Sequence, residues 1–382
     1  MIELPGMARV WDALPEARVA GGAVRDWLAG NQVADVDFAV PLTPDVVLAR
    51  AAAAGLKAVP TGLAHGTVTL VAAGRGFEVT SLRRDVAADG RHAVVTFTDD
   101  WEEDAARRDF TINAMFYARD GAVYDYFAGR EDLAAGRVRF VGEAAARIAE
   151  DYLRVLRFFR FFARYGRGAP DAEAVTAIMA LRDGVKTLSA ERVWSEVKKI
   201  LQAPDPLPAL RLMAETGVLE LVLPGADVAR LEAVMAAGAP VDDLLRVAAL
   251  WRGDVDEFAA RWRLSAAEAA RLTGLMVPNA LRPENDDAAL RRALAEESAA
   301  VLVERSWLAG GGGPGWDGLR ARLLRMERPV FPLQGRDLAV LGLAPGPEMG
   351  ETLREVRAWW LEGGCVADAA ACRARVVSRQ DV

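Results

Sequence analysis

The 382-residue sequence contains only two cysteines and two histidines. Cys365 and Cys372 both fall near the C-terminal end. Two thiols make neither a disulfide framework nor a convincing zinc site, and they fit a reducing, cytoplasmic setting. His65 and His92 are too few to support histidine-based hydrolase chemistry or a metal–histidine centre. Positive charge is not in excess either: 47 Lys and Arg against 54 Asp and Glu give a net charge of −7. That balance argues against a broad, non-specific nucleic-acid surface, while leaving room for local basic strips. No apolar run approaches the roughly 20 residues needed to span a bilayer. The opening MIELPGMARVWDALPEARVAGG has no basic segment followed by an apolar one, so neither a membrane span nor a secretory signal is expected. What is present is a globular composition, 52% hydrophobic and 26% charged, at a length that suits about two to three domains.

One stretch organises the chain: Gly21 to Val40, GGAVRDWLAGNQVADVDFAV. Arg18-Val19-Ala20 reads as a short strand entering the glycine pair. Gly21 and Gly22, ahead of a helical run, would let backbone N–H groups approach a phosphate at the positive end of the helix dipole. The stretch ends on Asp35-Val36-Asp37-Phe38. In an extended strand residues two apart share a face, so Asp35 and Asp37 would aim at one point while Val36 and Phe38 face a core. Like charges on one strand face repel unless a cation lies between them, and hard oxygen donors suit Mg²⁺.

Further along, Pro44 to Gly55 reads as a helix and Gly66 to Leu82 as a hairpin turning at Gly74-Arg75-Gly76. Alternation in its second strand puts Glu78 on the face opposite Phe77 and Val79, a candidate third carboxylate whose plain alternative is a solvent-facing residue. Asp85 to Asp104 reads as a mobile loop with Asp89-Gly90-Arg91 at its tip. Arg107 to Met115, RRDFTINAM, is expected to begin a helix; its arginines suit forked bonds to phosphate, and Asp109 and Asn113, four apart, could hold ribose hydroxyls. From Glu143 helices dominate. The first is expected to run unbroken to Gly166, with Asp151, Arg154 and Arg157 spaced three apart along one face. Ser189 is a candidate N-cap for the helix that follows, and Pro204 to Pro208 reads as a linker. Beyond it come a capping box at Ser265 and Glu268, a glycine loop from Ala309 to Gly315, and arginines 320, 322, 325 and 328, which either meet an RNA backbone or form a solvated helix face. Trp359 and Trp360 read as helix packing.

Taken together, GGAVRD…DVDFAV resembles the first motif of the polymerase-beta-like nucleotidyltransferases, and more closely the class II branch that holds bacterial CCA-adding enzymes and poly(A) polymerases. RRDFTINAM matches that branch's second motif. Asp125 to Leu133 resembles its third, with Ala128 in place of the first glycine of a pair. Glu150-Asp151-x-x-Arg154-x-x-Arg157 matches the fourth, where protein groups read the incoming base, and Ser189 to Leu201 resembles the fifth, a helix that braces it. With so few histidines, the His-Asp phosphohydrolase domain carried by some relatives is not expected here.

The resemblance implies an α+β nucleotidyltransferase head, a mixed sheet with helices, over 1–140. An all-α neck (141–203), body (204–330) and tail (331–382) would follow, the tail binding tRNA. It implies building or repair of the 3′-terminal CCA of tRNA from CTP and ATP, with pyrophosphate released. Asp35 and Asp37 would bind two Mg²⁺, with Glu78 as third carboxylate. One ion would lower the pKa of the RNA 3′ hydroxyl and the other would clamp the triphosphate. Gly21, Gly22 and Arg25 would cradle phosphates; Arg108, Asp109 and Asn113 would position sugar and triphosphate; Asp151, Arg154 and Arg157 would select the base. The physics of that selection is direct: C and A each offer an amino donor to a carboxylate and a ring acceptor to a guanidinium, whereas G and U present a carbonyl to the carboxylate. A poly(A) polymerase of the same branch shares every head motif, and a non-catalytic tRNA-binding module is the reading from another class.

Overall fold

The structure is a computed structural model that describes residues 2–88 and 93–380. The expected loop tip Asp89-Gly90-Arg91 and His92 lie outside the described residues. The chain divides into two compact units, Met1–Pro224 and Gly225–Val382.

The first unit opens with α1 (Met7–Ala13), β1 (Arg18–Ala20), α2 (Gly22–Leu28), β2 (Asp37–Val40) and α3 (Pro44–Ala53). Strands β3 (Lys57–Gly62), β4 (Thr67–Ala72) and β5 (Arg75–Ser81) follow. With β8 (Met115–Tyr117) and β9 (Val123–Asp125) they complete a seven-stranded sheet of order β3-β4-β5-β2-β1-β8-β9. The sheet is mixed: β2 and β5 run parallel and the other pairs antiparallel. Alternation explains its core. Phe38, Phe77 and Val79 point inward and are essentially inaccessible, and Trp11 of α1 meets Phe38 edge-on at 5.5 Å. Each such side chain stabilises the fold by about 1.5–3 kcal/mol.

Four local expectations are corrected. The β4–β5 turn lies at Ala73-Gly74, both at positive φ, so β5 begins at Arg75 rather than Phe77. The span expected to be a loop is largely ordered: β6 (Arg83–Ala88) and β7 (Ala93–Phe97) pair as a separate antiparallel ribbon. α4 (Trp101–Ala106) follows, capped by the Asp100 carboxylate. RRDFTINAM does not start a helix. Phe110 is extended, and only a single 3₁₀ turn, Thr111–Asn113, precedes β8. Tertiary packing overrides local propensity here, because full burial of Phe110 against Phe140 and Phe161, at 4.7 and 5.2 Å, requires the extended backbone.

The fourth correction concerns the long helix after Glu143, which is two: α6 (Ala144–Glu150) and α7 (Leu153–Tyr165). Asp151 between them is extended (φ −153°, ψ 106°), and its carboxylate accepts the Leu153 N–H at 3.0 Å. A short acidic side chain competing for backbone N–H groups ends one helix and starts the next. α8 (Ala172–Leu181), α9 (Ala190–Leu201), α10 (Leu207–Glu215) and α11 (Val218–Val222) complete the unit. Ser189 holds the N-cap position of α9 without a side-chain cap bond. Pro204 to Pro208 is a turn between α9 and α10, with Pro208 inside the first turn of α10, and the compact unit continues to Pro224.

The second unit is helical among its described residues. It holds two apolar clusters, one around Leu290, Leu294 and Leu323 and one around Leu338, Val356 and Trp360. The Ser265/Glu268 capping box forms. Trp360 is core, its indole N–H donating to the Ala367 carbonyl at 3.0 Å. Of the arginine row, Arg320 is buried against Ser306, Asp317 and the Trp307 ring, Arg322 pairs with Asp287, and Arg325 and Arg328 are exposed, donating to the Ala321 and Leu294 carbonyls. Both cysteines are free thiols. Among the described residues no helix is long and apolar enough to cross a membrane.

Ala128 is where the chain departs from the family's glycine, and it sits at φ 60°, ψ 32°. The Asp125 carboxylate forces this turn by accepting the N–H groups of Gly129 and Arg130 at 2.8 and 2.9 Å. A left-handed non-glycine residue costs about 1–2 kcal/mol, partly offset by glycine's larger unfolded-state entropy. Ala128→Gly should therefore raise unfolding stability by about 0.5–1 kcal/mol in urea titrations; a lower stability would show the turn to be unstrained.

Candidate active site

A cavity of 970 Å³ opens in the first unit between the sheet and helices α7 and α9. Of the twelve residues singled out in the sequence, Gly21, Gly22, Arg25, Asp37, Glu78, Arg108, Asp109, Asn113, Asp151, Arg154 and Arg157 line it. Asp35 does not. It is exposed just before β2, which begins at Asp37; the expected alternation continues through it, with Val36 and Phe38 buried, Asp35 and Asp37 exposed, and the Asp35 charge acting on Asp37. The sheet sets Glu78 directly opposite Asp37 in the parallel β2–β5 register, beside the aspartates as expected. Asp37 has an exposed flank, yet its carboxyl is pushed above the ordinary range. Loss of hydration on the cavity side is the main cause, the Glu78 and Asp35 charges add to it, and Arg108 opposes it. Among the described residues no three His, Cys, Asp or Glu side chains converge to enclose a metal ion. Mg²⁺ does not need that: it is commonly held by one or two carboxylates plus water and substrate phosphates. Mutually repelling Asp37 and Glu78, with Asp35 adding to the field, fit such an ion.

The glycine turn is built by sterics. Gly21 has φ 64° and ψ −117°, and a Cβ there would lie 2.9 Å from the Arg108 guanidinium. Its N–H is engaged by the Met115 carbonyl at 3.1 Å, so Gly21 contributes clearance rather than a free donor.

Several cations on the wall are held by carboxylates. Asp104, unremarked in the sequence although it stands three and four residues before Arg107 and Arg108, binds one arginine on each oxygen at 2.7 and 2.9 Å. Burial alone would raise its carboxyl, but Arg108 and then Arg107 outweigh that and hold it below the ordinary range. Asp109 and Asn113 do meet, at 3.0 Å, through the 3₁₀ turn rather than along a helix. Asp109 also accepts the Phe110 N–H at 2.9 Å and the Arg157 Nε at 2.6 Å. Burial again favours the neutral acid, and Arg157 followed by Asn113 overcomes it, leaving Asp109 below the usual range.

The expected single row on α7 is redistributed. Asp151 pairs with Arg192 of α9 at 2.8 Å, Arg154 with Glu150 at 2.5 Å, and Arg157 with Asp109. α9 braces α7 as the fifth motif suggests, adding a buried Arg160–Glu196 pair at 2.9 Å. Arg160, Tyr165, Arg192 and Lys199 also line the cavity. The sequence reading did not single them out, although Arg160 continues the threefold spacing of Arg154 and Arg157. His65 stands at the cavity wall in a 3₁₀ turn, its carbonyl accepting Arg83 at 2.5 Å. Gly184 marks a tight place nearby: any Cβ would overlap the ring of Tyr152, the residue after Asp151.

The sheet, the glycine turn and the facing carboxylates define a nucleotidyltransferase head. Residues 17–139 match the family described as "Poly A polymerase head domain", and residues 169–230 that described as "Probable RNA and SrmB- binding site of polymerase A". The mitochondrial CCA tRNA nucleotidyltransferase 1 of Danio rerio is 38% identical over 94% of this chain and 86% of its own length. The CCA-adding enzyme of Geobacillus thermodenitrificans is 41% identical over 55% of this chain and 51% of its own. The crystal structure of Bacillus stearothermophilus CCA-adding enzyme in complex with CTP matches with a TM-score of 0.77 at 27% identity, covering 99% of this chain and 98% of that one. The chain belongs to the CCA tRNA nucleotidyltransferase family.

The Arg157–Asp109 bond yields a pH prediction. A carboxyl with a depressed folded-state pKa contributes stability that is present above its unfolded pKa, about 3.9, and is lost as pH falls toward the folded value. Arg157→Ala should cost about 2–3 kcal/mol at pH 7. The difference from wild type should shrink in denaturation curves taken below about pH 4. An equal gap at both pH values would show that the ion pair is not the source.

Proposed function

We propose that this protein adds or repairs the 3′-terminal CCA of tRNA, using CTP and ATP and releasing pyrophosphate. The observation that carries the reading is the in-register Asp37/Glu78 pair at one side of a cavity whose other walls are arginines. Asp37 and Glu78, with Asp35 adjacent, would hold two Mg²⁺; when bound, such ions supply Lewis-acid stabilisation to the triphosphate and the attacking 3′ hydroxyl. The chain's own residues orient and neutralise. Arg25 and Arg108 face the turn made by Gly21 and Gly22 and donate to phosphate oxygens. Asp109 and Asn113 hold Arg157 and Arg25 in place, with the sugar seated beside them. Asp151 and Arg154 supply the acceptor and donor that C and A share, and Arg157 completes that wall. Guanine or uracil would leave a carbonyl against the carboxylate, at about 1–3 kcal/mol for an unpaired buried polar group. Two free thiols fit a reducing compartment, which we assign as the cytoplasm; the Danio rerio relative's name carries "mitochondrial".

The deciding assay supplies Mg²⁺, labelled CTP or ATP, and tRNA ending before, within or after CCA. Ordered addition of C, C and A that then stops is expected; a long A tail would identify a poly(A) polymerase instead. Asp37→Asn should abolish incorporation while keeping the fold. It should also remove the Mg²⁺-dependent rise in melting temperature expected of wild type, a readout independent of turnover. Asp151→Ala should let UTP and GTP compete with CTP and ATP, and unchanged selectivity would move base choice elsewhere.

A further inference from the structure

Arg25 is buried to 9% exposure at the cavity, and its position is not set by the glycine turn alone. Its Nε and one terminal nitrogen donate to the Asp26 carboxylate, both at 3.0 Å, and the other donates to the Asn113 side-chain oxygen at 2.5 Å. Three of its five N–H groups are thus used. A Cβ on Gly22 would lie 3.5 Å from the Nη2 atom, so that corner of the fork faces the turn. Asp26 is in turn the acceptor for the Tyr165 hydroxyl. Tyr165 is the last residue of α7, and its ring also lies under the guanidinium, 4.6 Å from centroid to carbon. Phe161, one turn earlier, offers a second face at 5.0 Å. One helix therefore carries Arg154 and Arg157 at its beginning and grips Arg25 at its end.

We propose that Tyr165 and Asp26 are positioning residues that lock the Arg25 fork onto the triphosphate-binding side of the cavity. They make the grip on phosphate depend on the seating of the helix that carries the base-facing arginines. This rests on reading the cavity as the nucleotide site. Neither residue needs to touch nucleotide: Asp26 fixes the rotation of the guanidinium plane, and Tyr165 fixes Asp26 while stacking on that plane. A guanidinium free to rotate would lose the fixed fork geometry that makes arginine a two-point phosphate ligand.

The test is CTP affinity measured by titration calorimetry on the full chain, without turnover. Tyr165→Phe keeps the ring and removes only the hydroxyl. Its dissociation constant for CTP should rise about 5- to 10-fold, the scale of one hydrogen bond to a charged group. Asp26→Asn should show at least that loss. Because both act through Arg25, Tyr165→Phe added to Arg25→Ala should weaken binding no further than Arg25→Ala alone. A Tyr165→Phe protein that binds CTP like wild type overturns the proposal, as does a loss that persists in the Arg25→Ala background. Wild type that binds no CTP would overturn the nucleotide-site reading itself, and the relay with it.

Discussion

Two carboxylates side by side on parallel strands repel each other, and much of the surrounding structure keeps that repulsion in place. Asp37 and Glu78 cannot move apart, because β2 and β5 are bonded to each other and flanked by β1 and β4. Their inward neighbours Phe38, Phe77 and Val79 are fully packed, so a slip of one residue would expose the core. A sheet that keeps like charges adjacent at the edge of a cavity gives up stability locally. In return it would suit the divalent cations we propose there, which need no help from histidine or thiolate, of which this chain has almost none.

The opposite wall solves the complementary problem. Arginines crowded together would also repel, and several are anchored by acids: Asp104 for Arg107 and Arg108, Asp109 for Arg157, Glu150 for Arg154, Glu196 for Arg160. Anchored cations need little reorganisation when an anion arrives, the basis of electrostatic preorganisation. The same pairing reconciles a net charge of −7 with a basic interior: acids outnumber bases over the whole chain, while the cavity wall presents guanidinium edges.

Elements governed by local rules were legible in the sequence. The period-two pattern around Phe77, Glu78 and Val79 put Glu78 on the right face, and the Ser265 capping box needs only four consecutive residues. Non-local facts were not legible. That Glu78 stands directly opposite Asp37 depends on parallel register, which no local pattern carries; its place beside the aspartates is implied only by the family resemblance. Phe110 is extended because Phe140 and Phe161 wait for it, so RRDFTINAM reads as a helix and folds as a turn. Arg320 looks like a surface cation until Trp307 and Ser306 are seen to enclose it. Asp151 is the intermediate case: aspartate is a known helix interrupter, but the apolar periodicity on both sides of it outweighed that signal.

The break at Asp151 gives Gly184 an importance out of proportion to its chemistry. It is neither acid, base nor donor, and it contacts no group assigned to substrate. Yet Tyr152, in the joint between the two helices, lies flat against it, so any side chain introduced there would lever the joint and with it the carboxylate one residue away. Under the proposed role of Asp151 in base choice, a substitution at this position of the 3₁₀ turn 182–187 would then surface as misincorporation rather than as unfolding. With Asp151 selecting the base as proposed, Gly184 is a handle on nucleobase preference that leaves every charged residue intact.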